Sequence, residues 1–406
     1  MTATMPKRQQ AATANTTQVT TDSPNQQKLS KLVTELDGLF LERTELIKLL
    51  LTGYIARTNV FIGGKPGTGK TALAKAIATA FSTRSFYYLM SATTQVDEIL
   101  GAVDLAALQD NQFRRDLTGK IADVELAILD EVMKCNSPTL NTLLGIILEH
   151  EVPNGKHIHK CPLISLVGCS NELPQEETLA PFWDRFTLRY WVEDVNHKNK
   201  KILLQRAAGL KPTPALTIQF TLIDLEQMQQ EAAVLPVDDS VIDGILDISK
   251  RLSGEGIKAS TRKHVQMVGL LRAFAYVCGA SSVTDEHLSV LASVFWDELE
   301  QQNTVTKIVK EVVESFNEQL NGILNAAQTI ISKLRDIDVS DTMRYKAYLS
   351  GADSKLAEML SELNLAIKNT TVGSKKHGLA IKIHETITKW RKERILNAMT
   401  QLEFGI

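Results

Sequence analysis

Apolar residues change their spacing from region to region along the chain, and each spacing predicts a different kind of element. Leu29, Leu32, Val33, Leu36, Leu39 and Phe40 recur at helical intervals, and a second helical run follows from Glu42. Short apolar segments then alternate with helical stretches: NVFIGG, SFYYLM, LAILDE, LISLVGCSN and TLRYWV. Runs this short and this apolar predict strands buried on both faces, and their alternation with helices predicts an α/β fold built on a parallel sheet. Beyond Glu193 the strand-like runs stop. Helical periodicity takes over in 200–207, 224–232, 240–252, 261–278 and 285–299, and long amphipathic runs continue from Gln301. Residues 1–27 are rich in Thr, Gln and Ala and nearly lack bulky apolar side chains, so burial there cannot offset the entropy of ordering. The predicted organisation is a disordered tail (1–28), an αβα core (29–195), an all-α domain (196–300) and a helical extension (301–406). No internal repeat is evident.

Composition narrows the function classes. The chain has 406 residues, 44% of them hydrophobic, enough for a substantial core. Lys+Arg 45 against Asp+Glu 47 leaves a net charge of -2, without the basic excess expected of a protein dominated by phosphate-backbone binding. Nucleic acid is therefore not the expected partner. Cys135, Cys161, Cys169 and Cys278 are scattered without CxxC spacing, which predicts reduced thiols and a cytoplasmic location. No apolar run reaches the roughly 18 to 20 residues that span a bilayer, and the N-terminus lacks the apolar centre of a signal peptide.

The chemistry concentrates after the first predicted strand. Gly64-Lys65-Pro66-Gly67-Thr68-Gly69-Lys70-Thr71 fits G-x-x-x-x-G-K-[ST] and opens a helix at Ala72. Glycines let successive backbone N–H groups converge on a polyphosphate at the positive end of that helix. Lys70 would reach the β- and γ-phosphates of ATP, and Thr71 would place its hydroxyl on Mg²⁺. LAILDE ends in Asp130 and Glu131 at the edge where α/β folds bind ligands: Asp130 for the Mg²⁺, Glu131 to polarise the attacking water. Asn171 closes a further buried strand, where its amide would bond the γ-phosphate or the water, or simply form a turn before ELP. Arg185 precedes the last strand, either as a cation acting across a subunit boundary or in an ion pair with Asp184 or Glu193.

With these elements in order, followed by KASTRKHVQMVGLLRAFAYV, residues 29–299 resemble AAA+ ATPases of the MoxR group, most closely the RavA branch. The resemblance also rests on LERTELIKLLL, YLMSATTQVDEILGAVDLAALQ, LDEVMKCNSPTLNTLLGIILEHEVPNGKHI, SNELPQE and DRFTLRYWVEDV. It implies Walker A at Lys70 and Thr71, Walker B at Asp130 and Glu131, sensor 1 at Asn171, an arginine finger at Arg185 and sensor 2 at Arg262. It further implies a homo-oligomeric ring, usually a hexamer, a remodelled protein partner, and commonly a von Willebrand A domain protein beside it. Residues 98–121 are similar to the group's helix-2 insert, and EHEVPNGKHIHKCP to its pre-sensor hairpin, with Asn154-Gly155 as a type I′ turn. The strand-rich insertion of the RavA branch has no counterpart in 301–406.

Other features take plainer readings. His157, His159 and Cys161 share one face of the returning hairpin strand, a polar face lacking a fourth metal ligand. DVSDT at 338–342 superficially fits a metal motif but has no strand before it, and reads as a loop. Lys375, Lys376, Lys382, Lys389, Arg391, Lys392 and Arg394 make the C-terminus basic, as a solvated helix face or, under an alternative reading, the contact surface of a nucleic-acid motor. A scaffold gated by ATP binding without turnover is a third reading.

Overall fold

The computed structural model describes residues 23–258, 261–334, 337, 341–368 and 375–404. The predicted tail therefore lies largely outside the described residues, but its boundary shifts. Helix α1 (Pro24–Leu39) begins five residues before the expected boundary at 29, because Ser23 caps it by accepting from the Gln26 amide at 3.1 Å and Pro24 presets the first turn. The Gln26 side chain is buried and donates to the carbonyls of Tyr276 and Ala280, anchoring polar residues that composition alone assigns to solvent.

After α2 (Thr44–Ile55) come β1 (Asn59–Gly64), α3 (Lys70–Ala80) and β2 (Ser85–Leu89). Short helices α4 (Val96–Leu100) and α5 (Leu105–Gln109) precede β3 (Leu126–Asp130) and α6 (Ser137–Glu149). A hairpin of β4 (Glu151–Asn154) and β5 (His157–Lys160) leads to β6 (Ser165–Ser170), α7 (Ala180–Trp183) and β7 (Phe186–Val192). The five long strands form one parallel sheet in the order β2-β3-β6-β1-β7. Val167 pairs with Val60 on one side and Ile128 on the other, and every residue of β6 is buried, as continuous apolar runs require.

Helices α8 (His197–Ala207), α9 (Leu222–Ala233), α10 (Asp239–Gly254) and α11 (Thr261–Val277) follow. The run at 285–299 departs from expectation: only Asp285–Ser293 is helical, as a tight 3₁₀ turn capped by Thr284. One buried arginine ties the sheet to this helical layer. Arg189, fully buried on β7, donates to the carbonyls of Phe186 (3.0 Å), Trp296 (2.5 Å) and Trp183 (3.3 Å), pairs with Asp297, and stacks on the Trp183 ring.

Helix α12 (Leu299–Lys333) starts in the main core, where Val305, Ile308, Val309 and Val312 are buried, and runs on for about 53 Å at 1.5 Å per residue. Its far end packs with α13 (Thr342–Lys368), α14 (Lys375–Trp390) and α15 (Asn397–Phe404) around a separate core containing Leu320, Leu356, Leu363, Ile383 and Ile395. Arg391 of the basic run is held there by Asp353 through two hydrogen bonds of 2.7 and 3.0 Å. Positions 338–340 of DVSDT lie outside the described residues. Among the described residues, no helix is long and apolar enough to cross a membrane.

Candidate active site

The loop between β1 and α3 is shaped by glycines for two separate reasons. Gly64 lies at φ 143°, and a Cβ there would come within 2.5 Å of the Val192 carbonyl, so only glycine lets the strand end pass β7. Gly67 and Gly69 occupy the left-handed region at φ 81° and 83°, and a Cβ on either would meet nothing within 4 Å. Their outer face is therefore open to a ligand. Lys65 and Pro66 are exposed beside them, and the Thr68 hydroxyl donates to the Lys65 carbonyl at 2.9 Å, bracing the loop.

Beneath the loop the Lys70 side chain is buried, and its ammonium donates to the carbonyls of Gly64 (2.5 Å) and Lys65 (2.9 Å) and to Asn171 Oδ1 (2.8 Å). Burial pushes this ammonium below the ordinary lysine range, against the pull of Cys169, Glu131 and Asp130. Thr71, in the first turn of α3, donates its hydroxyl to Asp130 Oδ2 at 2.8 Å, while Ala72 is exposed on the same turn. Cys169 on β6 is sealed under the site, and burial followed by the Asp130 charge pushes its thiol up to about 12, so it acts as an inert packing group.

β3 delivers the acidic pair. Asp130 Oδ1 accepts from the Glu131 amide at 3.1 Å, and Glu131 itself takes a left-handed backbone (φ 53°, ψ 35°) that turns its carboxylate out of the strand line. One Glu131 oxygen accepts from Asn171 Nδ2, and the other lies 3.3 Å from Lys134 Nζ. Asn171 thus bridges Lys70 and Glu131 and is not merely a turn residue. The hydroxyl of Thr71 and the carboxylate of Asp130 are hard oxygen donors meeting at one point, a pair suited to Mg²⁺, which keeps most of its waters and phosphate oxygens as ligands.

Sequence reasoning missed four residues around the site. Arg43 donates to the Glu193 carbonyl (2.8 Å) and the Thr68 carbonyl (3.4 Å), bracing the loop from the side, and the neighbouring Glu42 accepts from Asn196 N and Asn199 Nδ2. Both lie inside LERTELIKLLL, a stretch whose resemblance carried no site assignment. Tyr87 donates to Asp130 at 3.3 Å under the Lys75 ammonium, and Lys134 reaches Glu131 from one turn downstream.

Arg185 is not part of this cluster. It sits at the opposite end of the sheet, where Asn59 at the start of β1 donates to its carbonyl. The six residues of β1 at about 3.3 Å each separate the two ends by roughly 20 Å. Arg185 pairs with Asp184 at 2.8 Å, the first of the two ion-pair partners considered, whereas Glu193 lies beside the glycine-rich loop, where Arg43 bonds both its carbonyl and that of Thr68. Arg262 lies in α11, but its side chain falls outside the described residues.

The hairpin corrects one expectation. Asn154 pairs with His157, so the two loop residues are Gly155 and Lys156, and Lys156 is absent from the positive-φ residues that a type I′ turn would need. Asn154 is instead engaged with the insert, accepting from the Arg115 amide (2.7 Å) and donating to its carbonyl (3.1 Å). His159 bonds the Ala122 carbonyl, and among the described residues no group of three or more His, Cys, Asp or Glu side chains could hold a metal.

Residues 27–230 match a domain family described as the MoxR domain of the MoxR-vWA-beta-propeller ternary systems, and residues 240–309 match an AAA lid domain. Two uncharacterized proteins of Methanocaldococcus jannaschii are each 35% identical: one over 314 residues, 77% of this chain and 81% of the relative; the other over 340 residues, 83% and 88%. A solved structure from Cytophaga hutchinsonii, described as a candidate ATPase, shares the fold with a TM-score of 0.57 at 16% identity over 71% of this chain and 94% of its own.

Proposed function

Since this chain belongs to the MoxR family of AAA+ ATPases, we propose that it hydrolyses ATP in a homo-oligomeric ring, on the pattern of a hexamer, and uses the cycle to remodel a protein partner. The observation that carries the reading is the convergence of Lys70, Thr71, Asp130, Glu131 and Asn171 beneath a loop whose outer face is open. The backbone of residues 64–72 cradles the phosphates, and Lys70 exchanges its Asn171 and carbonyl partners for phosphate oxygens. Thr71 and Asp130 would hold Mg²⁺, which supplies charge neutralisation on the β- and γ-oxygens. Glu131 accepts the proton of the attacking water, and Asn171 orients either that water or the γ-phosphate.

Arg185 stands far from its own cradle, which supports its serving a neighbour's; Arg262 is proposed for the same seam. The motif set shared with the RavA branch supports a RavA-like member, and the description of the matching domain supports a von Willebrand A domain partner. A cytoplasmic setting is proposed on the four unpaired cysteines.

Glu131→Gln tests the assignment. It is expected to bind a fluorescent ATP analogue as the parent does while turnover falls by about a hundredfold or more, the usual contribution of a general base. Normal phosphate release by this variant would sink the reading.

A further inference from the structure

At the strand edge opposite the phosphate loop lies a cavity of about 230 Å³ lined by Arg57, His150, Asp184, Arg185, Lys263 and Gln266 among others. Three basic side chains, Arg57, Arg185 and Lys263, line it beside the Asp184 carboxylate, which pairs with Arg185, and the Asp297 carboxylate also acts on Lys263. Two polar atoms on its walls, Arg185 Nε and His150 Nδ1, are buried without a hydrogen-bond partner. Burial and the adjacent Arg57 charge hold the His150 imidazole below its ordinary range, so His150 adds no further cation.

Arg57 itself is the least expected member. It occupies the left-handed region at φ 53° just past the end of α2, where Thr58 N donates to the Gly53 carbonyl at 2.9 Å to close the helix and glycine is the residue most free of strain. The cap accounts for the backbone but not for the arginine side chain, which is exposed, with a 3.2 Å hydrogen bond to Gln229. An arginine where a helix cap favours glycine, on the rim of a cationic cavity, points to a role for the side chain.

We propose that Arg57 and Lys263 complete, with Arg185, an anion socket that receives the terminal phosphates of a nucleotide held by a second copy of this chain. The inference rests on the ring reading above and extends it by two cations. Cradle and socket lie at opposite ends of the same strands, so one copy cannot join its own two halves. Stacked head to tail, each copy offers a cradle with Asp130 and Glu131 to one neighbour and a basic socket to the other, a heterologous contact of the kind that closes into rings. The shared chemistry is phosphate recognition by guanidinium and ammonium groups, and a free polyphosphate is the competing source.

Arg57→Gly separates a functional role from a structural one, because it relieves backbone strain while removing the cation. The variant is expected to melt no lower than the parent and to bind a fluorescent ADP analogue unchanged at its own cradle, yet to lose about tenfold or more in kcat with little change in KM, with Arg57→Lys recovering part of it. Mixing Arg57→Gly with Lys70→Ala should restore turnover above either alone, because one variant keeps the cradle and the other the socket. Arg185→Ala mixed with Lys70→Ala runs alongside. If that pair complements and the Arg57 pair does not, the inference falls while the ring reading stands; if neither complements, both fall. Pyrophosphate is titrated into Lys70→Ala, where stoichiometric binding lost on adding Arg57→Gly would identify a free-anion site and overturn the assignment to a neighbour.

Discussion

Replacing Arg185 by alanine sets two readings of one side chain against each other with a large predicted gap. Across the roughly 20 Å of β1, a unit charge in water is worth about 0.2 kcal/mol, less than a twofold effect on rate even before salt screening. Placed about 4 Å from the transferring phosphoryl group of a neighbour, at an effective dielectric near 20, the same charge is worth about 4 kcal/mol. Its present pairing with Asp184 must be given up on engagement. Asp184 is 64% exposed, so that pair contributes at most about 1 kcal/mol. The remainder, about 3 kcal/mol, corresponds to a loss of roughly a hundredfold in kcat. Phosphate release measured against protein concentration reads it directly: the parent should gain specific activity as it assembles, and Arg185→Ala should stay low throughout. If Arg185→Ala turns over within twofold of the parent at concentrations where both assemble, the side chain touches no phosphate and the argument from its position is wrong.

Further outcomes follow from buried groups. Lys70 holds its proton less tightly in the folded, ligand-free protein than in the unfolded chain, so stability should rise with pH between its lowered value and the ordinary lysine range. Phosphate oxygens reverse that shift, so nucleotide binding should take up protons and weaken as pH climbs through the same window; calorimetry in alkaline buffers of different ionisation enthalpy would refute this by finding no proton uptake. Arg189→Met should cost about 3 to 5 kcal/mol, because three carbonyls and Asp297 lose a fully buried partner, and a urea midpoint shift worth less than about 1 kcal/mol would show that the joint between sheet and helices bears no weight.

Much of this molecule was written in local pattern. Each of the five sheet strands was marked by a short apolar run, most clearly β1, β3 and β6, whose burial on both faces leaves little polar signal, while the edge strand β2 keeps Tyr87 and Leu89 exposed; the glycine-rich loop stood out because glycine spacing is a local property. The position of Asp130 and Glu131 at the C-terminal end of β3 was legible for the same reason, because an acidic pair closing an apolar run is a local pattern. What period and motif could not fix was anything settled by contact between distant segments. That Asn171 bridges Lys70 and Glu131 depends on β6 lying between β1 and β3, an order that no local stretch encodes. Arg43, Tyr87 and Lys134 entered the site only because folding brought ordinary polar residues against the loop and the acidic pair. The start of α1 was misjudged because Gln26 finds carbonyl partners 250 and 254 residues away in sequence, and the 3₁₀ turn at Asp285–Ser293 replaced an expected α-helix in a run whose apolar period suits either. The basic cavity around Arg57 and Lys263 is the furthest case: its walls come from widely separated parts of the chain, so only the tertiary structure, which sums charges across space and not along sequence, could assemble it.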